Sequence, residues 1–163
     1  MSLNYKLWKS PIGDLHIVAS EKALVTLTFA KTWPKLKKDL KADLIEKKSK
    51  ILDQTQQELS EYFKGRRKNF SIPLAPAGTV FQTQTWKALE KIPFGKTRSY
   101  LEQAKTMGRT KAIRAVGTAN GRNPIAIIIP CHRVIGSNGK LTGYAGGLDI
   151  KETLLKLEGV SLS

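Results

Sequence analysis

The sequence predicts a mixed α/β (α+β) fold in two parts, a small antiparallel sheet with helices followed by a mainly helical half. Three observations predict it. Apolar and polar residues alternate over the first thirty residues, helical patterns follow, and a Pro- and Gly-containing stretch at residues 71–78 separates two halves of different character. We therefore expect an N-terminal supporting domain over residues 1–78 and a second domain over residues 79–163.

The N-terminal half begins with three short strands. The alternating runs that predict them, an arrangement typical of an antiparallel meander, lie at residues 3–7, 15–19 and 24–29. Residues 34–48 and 50–64 have the polar, amphipathic pattern of helices, and Gly65 ends the second of them. The lysines in this region are interleaved with acidic residues, which indicates a solvated helix face rather than a binding surface.

Helix-start signals recur in the C-terminal half. Thr79–Gln82 and Ser99–Glu102 each have the capping-box pattern, a hydroxyl residue followed three positions later by Gln or Glu. Asp149 is placed to cap a last helix, which Gly159 ends. The half is therefore predicted to be mainly helical.

Two of these helices form a helix-turn-helix candidate. The first follows Ser99, and the second is capped by Thr110 and runs to Gly121, with a glycine-containing turn between them. The second helix is dominated by small residues and offers chiefly Arg114 as a long polar side chain. Small residues let a backbone approach a minor groove, and one cation can then enter the base stack. The alternative is tight helix packing with Arg114 as a surface charge.

Charge is the strongest compositional signal. The chain has 28 basic and 13 acidic residues, a formal net charge of +15. Between Glu102 and Asp149 there are seven basic residues and no acidic one. A surface built from that segment attracts a polyanion such as nucleic acid.

The single cysteine, Cys131, ends a β-branched run at residues 125–129 that predicts a fully buried strand. His132 and Arg133 follow it, and imidazole and guanidinium groups are neighbours that convert a thiol into a reactive thiolate. The alternative is that Cys131 is a small buried hydrophobic residue, the usual place of a free cysteine. The context favours a nucleophile.

His132 is the only base near this thiol in the sequence. Neighbours on a strand point to opposite faces, so contact between the thiol and the imidazole needs a sharp turn or a bridging water. Glu158, at the end of the last helix, is the best candidate to orient the imidazole, because the helix dipole disfavours a carboxylate there without a partner. A solvated glutamate is the equally open alternative.

Cysteine and histidine counts exclude other classes. One cysteine allows no intrachain disulfide, and one cysteine with two histidines is too few for a zinc site dominated by these ligands, so we expect no metal and no cofactor. The N-terminus lacks the layout of a signal peptide and no apolar run has the length of a membrane span. We expect a cytoplasmic protein that binds no membrane.

With these residues assembled, the sequence resembles the O6-alkylguanine-DNA alkyltransferases, the methylated-DNA–protein-cysteine methyltransferases. The likeness extends over nearly the whole chain, because the N-terminal segments Ser10–Gly13 and Glu61–Gly65 share it. In the C-terminal half it rests on segments in family order, namely Ser99-Tyr100, Arg114–Gly117, Asn123-Pro124, Pro130–Val134, Gly143–Gly147, Lys151-Glu152 and Glu158-Gly159.

The resemblance implies a reaction. Cys131 would take the alkyl group from O6 of guanine in one in-line displacement, while His132 removes the thiol proton through a water and Glu158 orients the imidazole. Asn123 would hold the turn that shapes the site. The thioether product would not be cleaved, so each monomeric molecule would act once, on alkylated double-stranded DNA and on O4-alkylthymine as a secondary substrate.

The resemblance also implies an RNase H-like N-terminal domain and base flipping through the minor groove. Tyr100 would crowd the target phosphate and donate a proton to the leaving purine, with Lys151 in support, and Arg114 would fill the vacated place. The remaining predicted DNA contacts are Ala112, Ala115, Gly117, Thr118, Asn120 and Arg122. The predicted substrate pocket is formed by Tyr144, Val134, Ala145 and Gly146.

Two other functions compete with this one. A binding module for alkylated DNA would share the charge and the helix-turn-helix but leave the thiol unmodified. A hydrolase with a Cys/His/Glu site would turn over repeatedly and be indifferent to DNA, which the basic C-terminal half argues against.

Overall fold

Packing divides the chain between Ala77 and Gly78 into two units. The structure, a computed structural model, describes residues 1–162. Ser163, the last residue of the predicted second domain, lies outside the described residues. No helix in the described part has both the length and the apolar character that a bilayer crossing needs.

The first unit contains a four-stranded sheet. Its strands β1 (Ser2–Ser10), β2 (Gly13–Ala19) and β3 (Leu24–Phe29) pair antiparallel, so the predicted meander is confirmed. A further strand, β4 (Asp43–Ile45), pairs parallel with β1 and gives the order β3-β2-β1-β4. Leucine and isoleucine side chains of β2 and β3 are fully buried and form the core of this unit.

The predicted helix over residues 34–48 is wrong in its second half. Helix α1 covers only Trp33–Leu40, and Lys41 follows it in the left-handed conformation with φ 48°. The chain then enters β4, because residues 43–45 satisfy their backbone groups on the free edge of β1. That pairing joins segments 41 residues apart in the sequence and outweighs the local helical pattern.

Helix α2 (Lys50–Phe63) lies on the sheet and begins at Ser49, whose side chain accepts a hydrogen bond from Leu52 N. Tyr62 on its inner face is fully buried. The following connector is extended, as predicted: Leu24 N donates to Pro73 O and Ala75 N donates to Leu24 O, both at 2.8 Å. The connector therefore runs along β3.

Within residues 78–162, four α-helices and a two-stranded pair build the second unit, which confirms the predicted α/β class with a mainly helical C-terminal half. Two short parallel strands pair the segment before the second of these helices with the segment that follows the cysteine. The elements are α3 (Val80–Glu90), β5 (Arg98–Ser99), α4 (Tyr100–Thr106), α5 (Ile113–Gly121), β6 (Val134–Ile135) and α6 (Leu148–Leu157).

Both predicted capping boxes are present, at Thr79 before α3 and at Ser99 before α4. The other two predicted caps are wrong. Helix α5 begins after Ala112 rather than at Thr110, and α6 begins after Gly147 rather than at Asp149, and neither has a side-chain cap. Thr110 lies in the turn between α4 and α5. Asp149 lies in the first turn of α6, where its negative charge interacts favourably with the helix dipole.

Candidate active site

The cysteine sits after a tight buried turn, not on a strand, so the strand predicted over residues 125–129 is wrong. Asn123 holds the turn through three hydrogen bonds. Its Nδ2 donates to Ile129 O at 2.7 Å and to Cys131 Sγ at 3.3 Å, and its Oδ1 accepts from Ile125 N at 3.0 Å. The isoleucines are buried, which gives the run the composition of a buried strand although the chain turns at residues 126–128.

Two three-residue turns tighten this segment. Ile128 N donates to Ala126 O at 2.7 Å, and Cys131 N donates to Ile129 O at 2.8 Å. The first places Ile127 at φ +70°, a conformation that β-branched residues rarely adopt. The second is centred on Pro130, with φ −84° and ψ 65°. The backbone thus delivers Cys131 into a 3₁₀ turn, Cys131–Arg133.

His132 and Glu158 form a buried pair. His132 Nε2 lies 2.7 Å from Glu158 Oε2, and neither side chain is exposed. The carboxylate is best satisfied when Nε2 carries the proton and donates it, which leaves a lone pair on Nδ1. That Nδ1 atom is buried and has no hydrogen-bond partner among the residues described. Glu158 therefore has the geometry predicted for an orienting group, and the solvated alternative is excluded.

Arg133 belongs to the same cluster, a role that sequence reasoning missed. Its Nε donates to Glu158 Oε1 at 2.8 Å, its Nη2 to Glu158 Oε2 at 3.2 Å and its Nη1 to Ile92 O at 2.6 Å. Gly95 N adds a further hydrogen bond to Glu158 Oε1 at 3.2 Å. The guanidinium thus binds the Glu158 carboxylate. The expectation that it lies beside the thiol and promotes its ionisation is wrong. A buried partner twenty-five residues away leaves no local signal.

Burial has opposite consequences for the two reacting groups. It raises the pKa of the Cys131 thiol, and the Asn123 hydrogen bond and the Lys151 charge oppose this only in part. It lowers the pKa of His132, although Glu158 acts in the other direction. At neutral pH the site therefore contains a protonated thiol and a neutral imidazole, and the thiol needs a base when it reacts.

Lys151 is a buried ammonium on α6. Its Nζ donates to Val134 O at 2.7 Å and to Thr142 O at 2.9 Å. Burial lowers its pKa to about 8, and Cys131 opposes the shift. Lys151 does not bind the Tyr100 hydroxyl directly; Tyr100 OH lies 2.7 Å from Thr142 Oγ1, so Thr142 joins the two.

A pocket of about 520 Å³ opens onto the thiol. The predicted residues Tyr100, Arg114, Tyr144 and Ala145 line it, together with Cys131. Among the other lining residues, Thr142 and Gly143 were missed by sequence reasoning. Val134 and Gly146, which were predicted in the pocket, are not among the lining residues: the carbonyl of Val134 accepts from Lys151, and its side chain is buried.

Helix α5 forms one side of this pocket. Gly117 and Thr118 line it with Arg114, and the predicted positions Ala112, Ala115 and Arg122 are exposed or half-buried on the same helix and its end. Asn120 differs from these residues in its burial and its partner. Although it borders the pocket, its side chain is buried and forms a reciprocal pair with Gln103, with N–O distances of 2.7 and 2.9 Å.

The interior of the second unit fixes α5 in place. Trp86 Nε1 donates to Ala119 O at 2.9 Å, which ties α3 to α5. The Gln103–Asn120 pair ties α4 to α5, while Val116 is fully buried between the elements. The predicted small-residue helix is thus packed tightly on one side and leaves Arg114 exposed on the other.

Comparison with known proteins gives two domain matches. Residues 80–160 match the DNA-binding domain of 6-O-methylguanine DNA methyltransferase, and residues 3–76 match the ribonuclease-like domain of the same family. The matches cover nearly the whole chain, and the second supports the ribonuclease-like fold expected for the N-terminal half.

Individual relatives belong to the same family as these domain matches. The chain is 54% identical over 154 residues to a methylated-DNA–protein-cysteine methyltransferase of Methanosarcina barkeri, covering 94% of this chain and 96% of the relative. It is 45% identical over 160 residues to the constitutive enzyme of that name from Bacillus subtilis, covering 96% of each. It is also similar to a crystal structure of Mycobacterium tuberculosis OGT in complex with DNA, with TM-score 0.83, 42% identity and coverage of 95% of this chain and 92% of that one.

Fold and matches together define a class, the two-domain methyltransferases whose acceptor is a protein cysteine. The chain belongs to the methylated-DNA–protein-cysteine methyltransferase family, the O6-alkylguanine-DNA alkyltransferases.

Proposed function

We propose that this protein repairs DNA by transferring an alkyl group from O6 of guanine to its own Cys131. The observation that carries the proposal is the placement of Cys131 in a pocket beside a buried His132–Glu158 pair. A pocket of about 520 Å³ lies in the range of small-molecule sites and accommodates a single nucleobase. The names of the relatives supply methylated DNA as the substrate class, and the family description supplies the methylated O6 of guanine.

The reaction is a single displacement. The Cys131 sulfur attacks the alkyl carbon, the S–C bond forms as the C–O6 bond breaks, and the electron pair remains on the purine oxygen. The thiol proton passes through a water to His132 Nδ1, which the Nε2–Glu158 hydrogen bond leaves free to accept it. Glu158 then stabilises the imidazolium, and Asn123 keeps the sulfur in line.

DNA is held by the second domain. Exposed Arg114 stands at the pocket on α5, a helix of small residues suited to close approach in the minor groove. Since the reacting O6 atom lies inside the duplex, we propose that the base is flipped into the pocket and that Arg114 takes its place, offsetting a cost of a few kcal/mol. Ala112, Ala115, Gly117, Thr118 and Arg122 would contact the backbone with it.

The proposal includes several finer features. A thioether is not hydrolysed by water, so each protein molecule acts once. The N-terminal domain serves as support, and the protein works as a cytoplasmic monomer without cofactor or metal. O4-alkylthymine, which presents the same alkyl–oxygen group on a smaller base, is the second substrate.

A repair titration tests this function. A fixed amount of protein is incubated with increasing duplex that carries one O6-methylguanine, and the demethylated DNA is counted. We expect a plateau at one repaired lesion per protein molecule. Binding of the lesion duplex without any repair would instead identify a recognition module, and continued turnover would contradict irreversible transfer.

A further inference from the structure

We propose that Thr142 is a positioning residue for Tyr100, acting through the hydrogen bond between their side-chain hydroxyls. The inference rests on the proposed alkyl transfer and adds to it a residue outside the thiol, imidazole and carboxylate cluster. Thr142 lies in the loop between β6 and α6, a segment that contributes one wall of the pocket.

Thr142 is held at two points. Its Oγ1 lies 2.7 Å from Tyr100 OH at the start of α4, and its carbonyl accepts from the buried Lys151 on α6 at 2.9 Å. Lys151 also binds Val134 O, three residues after the cysteine. The loop, the cysteine turn and Tyr100 are therefore fixed relative to one another through a chain of direct hydrogen bonds.

The Tyr100 ring depends on this contact at its hydroxyl end. Gly117 also lies beside the ring, where a Cβ atom, if present, would be in ordinary van der Waals contact at 3.7 Å from Cδ1 and Cε1. Glycine has no such atom and therefore leaves this side of the ring without a side-chain contact. The hydrogen bond to the Thr142 hydroxyl holds the other end of the ring, at the phenol oxygen.

The polarity of the bond matters for the reaction. A phenol has one proton, and if Thr142 donates to the Tyr100 oxygen, that proton is directed to the pocket. It can then pass to a ring nitrogen of the purine as the C–O6 bond breaks, while the thiol proton goes to His132. Tyr100 and Thr142 are both accessible to solvent, which restores the phenolic proton afterwards.

Two variants of Thr142 separate the hydroxyl from the methyl group. Thr142→Val keeps the shape and removes the hydroxyl, and Thr142→Ser keeps the hydroxyl and removes the methyl. We expect Thr142→Val to slow single-turnover methyl transfer about two- to tenfold at saturating duplex, the range of one neutral hydrogen bond. Thr142→Ser should recover most of the rate. Thr153→Val, which removes an exposed hydroxyl bonded to Asp149 O on α6, is the matched control.

A double-mutant cycle with Tyr100→Phe completes the test. Because Thr142 acts through the Tyr100 hydroxyl, Thr142→Val should cause no further loss in the Tyr100→Phe background. An equal loss in both backgrounds, or equal losses for the valine and serine variants, would overturn the proposal while leaving alkyl transfer intact. A wild-type protein that transfers no methyl group would show instead that the proposed function has failed.

Discussion

Glu158 Oε2 lies 2.7 Å from His132 Nε2, and the same carboxylate binds the Arg133 guanidinium through both oxygens inside the protein. One acidic residue at the C-terminal end of α6 thus neutralises a buried cation and orients the imidazole beside the nucleophile. Structural stability and reactivity depend on the same side chain.

Glu158→Gln should therefore be strongly destabilising. Loss of the carboxylate leaves Arg133 as a buried charge without its counter-ion, which typically costs about 3–5 kcal/mol of unfolding free energy. Glu152→Gln on the same helix is the control, because its pair with Lys156 is exposed and is worth at most about 1 kcal/mol. Urea unfolding of both variants measures the difference, and similar midpoints for the two would refute the assignment.

The rate of alkyl transfer should fall at acidic pH. Since burial lowers the pKa of His132 below its ordinary value of 6.5, the imidazole stays neutral through neutral pH and accepts the thiol proton there. The base is lost only when the pH drops through the lowered pKa. Single-turnover rates measured across pH, with DNA saturating at each point, should show an acid limb centred below 6.5. A midpoint above 6.5 would be inconsistent with a buried, neutral base.

The free energy of unfolding should rise at alkaline pH because of Lys151. Its pKa is lowered to about 8 in the folded protein from 10.5, so between these values the unfolded chain binds more protons and raising the pH stabilises the folded state. Below pH 8 the lysine is protonated in both states. Relative to Lys151→Met, the wild type should gain on the order of 3 kcal/mol across this window. Denaturant titrations at several pH values measure the gain, and parallel curves for the two proteins would exclude it.

Arg114→Ala should separate work on duplex DNA from the chemistry. We expect methyl transfer from duplex to slow by about tenfold or more, because the side chain no longer offsets the cost of flipping the base. Reaction with free O6-methylguanine should change little. Lys156→Ala removes one exposed positive charge from α6 and controls for general electrostatics. Equal losses of rate on the duplex and on the free base would contradict the insertion of Arg114 into the duplex.

Local signals in the sequence were sufficient for some elements. Helices begin at Thr79 and Ser99 because each capping box provides hydrogen-bond acceptors for backbone N–H groups of the first turn, and all its residues lie within four positions. Thr110 and Asp149 have the right residue types, but the helices begin after Ala112 and Gly147, and neither start has a side-chain cap. The end of α1 at Lys41 was not predicted either, because the pairing of β4 with β1 that follows it has no local pattern.

The site divides in the same way. Cys131, His132 and Glu158 were found because their chemistry and their positions at element ends are unusual, and the resemblance to the family added Asn123. The sequence predicts a strand after Asn123 where the structure has a turn, because a fully buried turn and a fully buried strand both favour a run of isoleucines. The Gln103–Asn120 pair and the Arg133–Glu158 contact join residues 17 and 25 positions apart, and pairing at that distance requires the fold.

The most direct test of alkyl transfer to Cys131 is intact-protein mass spectrometry with peptide mapping after incubation with excess duplex containing O6-methylguanine. We predict a gain of one methyl group in place of one proton, confined to the Cys131 peptide and saturating at one per protein. Cys131→Ser should gain nothing. An unmodified wild-type protein that still binds the lesion, or a methyl group on another residue, would contradict the assignment of Cys131 as the acceptor.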